Sequence, residues 1–261
     1  MRFEFWWKHA RLPLTFFLVI ALLFRATSID LAIARALFFD ALQTRWIGAG
    51  SAWIEQGVHI GGRWLIRALV ALALMVWASR HSHRPWQDLR RPAGYFALSV
   101  ILAVGSVGLL KRLTHIDCPW DLALFGGRSP YLPLFAVRPE HLRTGHCFPA
   151  AHASSGYALL ALYFMFRERS GALARWGLAL GISVGLLFGL AQQARGAHFV
   201  SHDVWSAFIC WIVALTTYTW LFGARLWNRT SESSERADTE EWPQEASSVA
   251  RRLFSGGNVD L

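Results

Sequence analysis

Charge is scarce in this chain. Asp, Glu, Lys and Arg make up 16% of the 261 residues, against about a quarter in soluble globular domains. That deficit excludes an ordinary solvated surface, because the apolar residues, 54% of the chain, run on without interruption. Uncharged stretches cover 92–110, 144–166, 176–194 and 204–224, and each is long enough to cross a hydrocarbon layer as a helix. Two shorter runs, 12–24 and 68–79, are flanked by arginine or lysine and by Trp6, Trp7 and Trp64. Long basic side chains reach the interface and tryptophan favours it, so both are expected to span as well. The expected fold is an all-α integral membrane protein, a bundle of six transmembrane helices.

Other absences narrow the reading. The residues after the first apolar run, "RATSID", offer no small-x-small cleavage site, so 1–25 reads as an uncleaved first helix rather than a signal peptide. No internal repeat is visible. The net charge of +9 does not read as a nucleic-acid footprint, because the basic residues gather at the ends of the apolar runs. Arg2, Lys8 and Arg11 precede the first run, Arg80, Arg84, Arg90 and Arg91 separate the second and third, and Arg167, Arg169 and Arg175 separate the fourth and fifth. Arg225 and Arg229 follow the sixth. These segments alternate onto one side, and positive residues mark the cytoplasmic side, so both termini are expected inside.

Between the spans, 26–63 is too charged to cross. Its pattern "IDLAIARALFFDAL" has helical periodicity and predicts an amphipathic helix at the outer surface. The loop 111–145 carries Pro119, Pro130, Pro133 and Pro139, which argues against one long helix. Residues 64–224 form the expected transmembrane core, and 225–261, polar and rich in Ser and Glu, an expected disordered cytoplasmic tail. Gly181, Gly185 and Gly189, four residues apart, read as a close helix contact.

The few titratable residues near apolar runs converge. On this topology Lys111 opens the second outer loop, and His152 lies about two turns into the fourth run from outside. Arg195, His198, His202 and Asp203 belong to the third outer loop. Ionisable groups at membrane depth are costly and point to function. These types suit phosphoryl transfer: Lys and Arg clamp phosphate oxygens, one histidine attacks phosphorus with a carboxylate holding its tautomer, and a second histidine protonates the leaving alcohol. Cys118 and Cys147 both fall on the oxidising outer side, either bridged or as two free thiols. Cys210, mid-helix, reads as packing, and "DCPWDL" lacks the glycine- and arginine-rich cradle of a cysteine phosphatase.

Three segments, "KRLTHIDCP", "PAAH" and "ARGAHFVSHD", resemble the signature of the type 2 phosphatidic acid phosphatase (PAP2) superfamily, K-x6-R-P, P-S-G-H and S-R-x5-H-x3-D. The resemblance covers roughly residues 92–224. It implies that Lys111 and Arg195 bind phosphate, that His152 is the general acid, and that a third-motif histidine is the nucleophile. Cys118 stands where the first motif has arginine, with Arg112, Arg128 and Arg143 as candidates to replace it; Ala150 and Ala151 replace Ser and Gly. The third motif reads best as the family's pattern with one inserted residue, which favours His198 as nucleophile and Asp203 behind it, with His202 the alternative.

The resemblance implies a metal- and cofactor-independent hydrolase acting on a lipid phosphate or diphosphate. Its expected home is a bacterial inner membrane, with the site facing the periplasm. A lipid phosphotransferase and a non-catalytic lipid-binding or transport protein remain alternatives on the same scaffold. A haem-binding electron carrier, with His152 and His198 or His202 as axial ligands, is a third.

Overall fold

The long apolar runs become helices, and two prolines show how those helices are tied together. The computed structural model describes residues 2–79, 84–134, 136–139, 142 and 144–223. The expected tail, 225–261, and Arg143 lie outside the described residues. In chain order the elements begin with α1 (Phe3–Ala26), α2 (Ile29–Ile33) and an antiparallel pair, β1 (Phe39–Asp40) and β2 (Arg45–Trp46). There follow α3 (Trp53–Ala78), α4 (Arg84–Thr114), α5 (Ala151–Tyr157), α6 (Ala161–Phe166), α7 (Gly171–Ala194) and α8 (Val200–Gly223).

Five of these, α1, α3, α4, α7 and α8, are long and apolar enough to cross a membrane. The sixth expected span, the run 144–166, is not one membrane-length helix. Ala150 is extended after Pro149, α5 starts only at Ala151, and a 3-10 turn at Ala158–Leu160 divides α5 from α6. This broken rod is the core of the bundle: Ala153, Ser154, Tyr157, Leu159 and Phe164 are all buried. Burial runs round every side of this element, from His152 through the 3-10 turn to Leu160.

Pro13 lies inside α1 and cannot donate to the carbonyl four residues before it. That carbonyl belongs to His9, and Trp211 of α8 donates its indole N–H to it at 2.8 Å. Pro92 leaves the Asp88 carbonyl of α4 in the same position, and Arg169 donates to that oxygen from beyond α6. Each proline therefore converts a lost intrahelical bond into a tie between helices, as an apolar medium requires.

The glycines of α7 face the broken rod. A Cβ at Gly181 would overlap the backbone of Leu160, one at Gly185 the ring of Tyr157, and one at Gly189 the carboxylate of Asp203. Hydrogen at these positions is what lets α5, α6 and α8 approach α7 so closely.

The segment expected as outer loop, 26–63, is divided. Its first part holds α2 and the β1–β2 pair, whose Trp46 and Phe39 pack with Leu122, Phe125 and Phe199 into a small second cluster. Its last part belongs to α3, which begins at Trp53 with π-helical turns over Trp53–Gly61. Glu55 and His59 thus enter the bundle, because each finds a polar partner there.

Trp211→Phe is expected to lower the unfolding temperature in detergent, at a cost of about 1 kcal/mol, from the lost hydrogen bond. In a Pro13→Ala background, where residue 13 regains a donor for the His9 carbonyl, the same change is expected to cost less. Equal costs in both backgrounds would show that the indole does not serve the carbonyl freed by Pro13.

Candidate active site

Three helix ends and one connection meet at a single cavity of about 1070 Å³. Lys111 comes from the last turn of α4, His152 from the first turn of α5, Arg195 from the C-cap of α7, and His198 from the connection into α8. All four line the cavity. Its far end is apolar, with Val70 and Leu74 of α3 facing Val100, Ile101 and Val104 of α4.

Local structure explains each placement. Cys118 and Cys147 are joined by a disulfide, which ties the chain after Lys111 to the chain before His152. Thr114 adds a bond from its hydroxyl to the Phe148 carbonyl. Arg138 grips Asp117 through both terminal nitrogens, at 2.8 and 3.1 Å, and also bonds the His115 carbonyl. Gly196 adopts φ +76 with Trp46 packed where a Cβ would stand, so the turn between Arg195 and His198 requires glycine.

The His152 ring stacks on Phe188 at 4.4 Å and meets the edge of His59 at 4.7 Å; neither of its nitrogens has a hydrogen-bond partner. Gly62 leaves the space that Phe188 fills beneath it. The His198 and His202 Nδ1 atoms lie 3.4 Å apart, so one ring donates and the other accepts, and His198 keeps its second nitrogen, Nε2. Burial holds the His198 imidazole well below its ordinary value of 6.5, with His202 and Lys111 pushing the same way. Its resting form is neutral.

Asp203 goes elsewhere. Its carboxylate accepts from the Gln193 amide of α7, against Gly189, and its second oxygen has no hydrogen-bond partner. The expectation that Asp203 orients the attacking histidine is not met by this contact. In a helix one residue turns a side chain through about 100°, so Asp203 faces α7 while its neighbour His202 faces His198. The two histidines are separated as well: His202 lines a small pocket of about 40 Å³ with Asp30, Ser201 and Tyr131, while His198 faces the large cavity. Arg112 and Arg128 are exposed and do not line that cavity.

Two residues of α3 were missed by sequence reasoning. Glu55 forms an ion pair with Arg195 and bonds His59 Nδ1 at 3.2 Å, while Gln192 accepts from the other side of the same guanidinium at 3.3 Å. The available signal was a row at four-residue steps, Glu55, His59, Arg63 and Arg67, running straight into an apolar helix.

The model of the PAP2 superfamily matches residues 92–226. The chain belongs to this superfamily. No curated protein and no solved structure shows a significant match to it. PAP2 membership supports a phosphatase-type activity on phosphate esters. Read against the PAP2 third motif, H-x3-D, the position four after His198 is His202, not Asp203. The His202 imidazole stands at that position beside His198, with Asp203 one residue beyond it.

A histidine that protonates less readily folded than unfolded withdraws stability as pH falls below its unfolded value. Its contribution returns as pH rises through the window between the lowered folded value and 6.5. Between about pH 7.5 and about pH 5 the unfolding temperature is therefore expected to drop, and to drop less in His198→Gln. Parallel curves for the two proteins would contradict a neutral, buried His198.

Proposed function

We propose that this protein is a membrane lipid phosphatase that works through a phosphohistidine at His198. The observation that carries this reading is the one cavity that is cationic and histidine-lined at one end and apolar at the other, which suits a phosphate headgroup with a hydrocarbon tail.

The phosphate enters between Lys111 and Arg195 and takes the place of the Glu55 carboxylate on the guanidinium. His198, with Nδ1 held by His202, attacks through Nε2. The N–P bond forms as the P–O ester bond breaks, and His152 gives the departing oxygen its proton. His152, now neutral, takes a proton from water, the resulting oxygen attacks phosphorus, and phosphate leaves with His198 restored. An acceptor lipid in place of that water makes the same intermediate a phosphotransferase step. His202 is a positioning residue, and Asp203 holds α8 to α7. The site is assigned to the outer face of a bacterial inner membrane, on the strength of the basic segments at the opposite helix ends.

The test is phosphate release from a panel of lipid phosphates in detergent with EDTA. His198→Ala and His152→Ala are expected to lose about 10³-fold or more. His202→Ala is expected to lose less, with His202→Asp, which restores the PAP2 carboxylate, recovering part of it. Release that needs added metal, or that survives in His198→Ala, would overturn the mechanism; no release from any lipid phosphate would overturn the phosphatase. Glu55→Gln removes the competing carboxylate, so inorganic phosphate is expected to inhibit several-fold more tightly. An unchanged inhibition constant would show that Glu55 does not stand in for phosphate.

A further inference from the structure

The large cavity has more positive charge than one phosphate needs. Lys111, Arg195, Arg63 and Arg67 all line it, and no Asp or Glu does. Glu55 offsets Arg195, but neither Arg63 nor Arg67 makes an ion pair or hydrogen bond with any described residue; Arg67 only lies over the Trp64 ring, at 4.9 Å. Both sit within a membrane-length helix, where an unpaired cation is costly.

Their place along α3 is informative. His59 touches His152, the proton donor of the proposed chemistry. Arg63 follows one turn later and Arg67 two turns later on the same face, at about 5.4 Å per turn. Beyond them the lining becomes apolar at Val70 and Leu74. Across the cavity Gly105 of α4 has nothing within 4 Å of where its Cβ would be, so there is room between the helices. Along α3 the two arginines thus stand between His59 and the apolar lining.

We propose that Arg63 and Arg67 form a second anion subsite, and that the favoured substrates carry a second phosphate on the tail side of the one removed. This rests on the phosphatase reading for which phosphate is removed. For a lipid diphosphate the step balances simply. His198 bonds to the terminal phosphorus, the bridging P–O bond breaks, and its electron pair stays on the lipid monophosphate. His152 supplies the proton, and Arg63 and Arg67 neutralise the leaving phosphate. In a glycerophospholipid that ends in a phosphomonoester, the internal phosphodiester supplies the second negative charge.

The experiment is calorimetric binding of inert analogues to the full chain in detergent: farnesyl phosphonate, farnesyl methylenediphosphonate, and a phosphonate analogue of phosphatidylglycerophosphate. The unmodified protein is expected to bind one of the two-phosphorus ligands at least about tenfold more tightly than the monophosphonate. Which of the two wins identifies the source of the second charge. In Arg63→Gln/Arg67→Gln that ratio is expected to fall to near one, whereas Arg63→Lys/Arg67→Lys keeps most of it. Equal affinities in the unmodified protein, or a ratio that survives the glutamine pair, would overturn the subsite. The ratio does not depend on turnover, so a clear preference with no phosphate release from any lipid would remove the phosphatase and leave the subsite standing.

Discussion

The architecture turns on the contact between the glycine row of α7 and the broken rod α5–α6. Backbone meets backbone at Gly156 and Gly185, and the Gly181 and Gly185 surfaces admit Leu160 and Tyr157 with no room for a methyl group. Because that contact is so tight, the outer end of α7 is fixed relative to the first turn of α5. Those two ends carry Arg195 and His152. Packing deep in the bundle therefore sets the spacing of polar groups at its mouth, which is how an assembly without a hydrophobic driving force between helices holds a site rigid.

The mouth is then closed by bonds of other kinds. The Cys118–Cys147 disulfide and the Thr114 hydroxyl hold the end of α4 to the start of α5. Trp46 against Gly196 holds the turn that carries His198, and the Asp30 carboxylate accepts the Ser201 N–H at the start of α8 at 3.0 Å. That last bond places an anion at a helix N-terminus, where the dipole favours it. The charge of Asp30 is still costly to bury, and burial raises its carboxyl above the usual range despite the bonds to Ser201.

Much of this was legible in the sequence because hydrocarbon imposes strict rules. Uninterrupted apolar runs have few homes outside a bilayer, and Lys111, His152, Arg195 and His198 stand out against them. What was not legible follows from pairing. Glu55 belongs to the segment read as too charged to span, yet inside the bundle Glu55 meets Arg195 and His59 meets Glu55 and His152. The start of α3 was thus placed too late. The run 144–166 was apolar enough to span, but apolarity alone cannot distinguish a lipid-facing helix from a fully buried one. The burial of every residue from His152 to Ala161 shows that its first half is the latter.

The third motif shows how local geometry decides between adjacent residues. Its sequence contains an aspartate, and the family pattern asks for one, so an inserted residue was the economical reading. The helix beginning at Val200 sets the His202 ring beside His198 and turns Asp203 toward Gln193 of α7. A carboxylate there would add a buried anion and favour a protonated His198. An imidazole holds the ring by a hydrogen bond without adding charge, so His198 stays neutral with a lone pair free in a site where Lys111 already supplies positive charge. The balancing anion is Glu55, on the other side of the cavity and bound to Arg195.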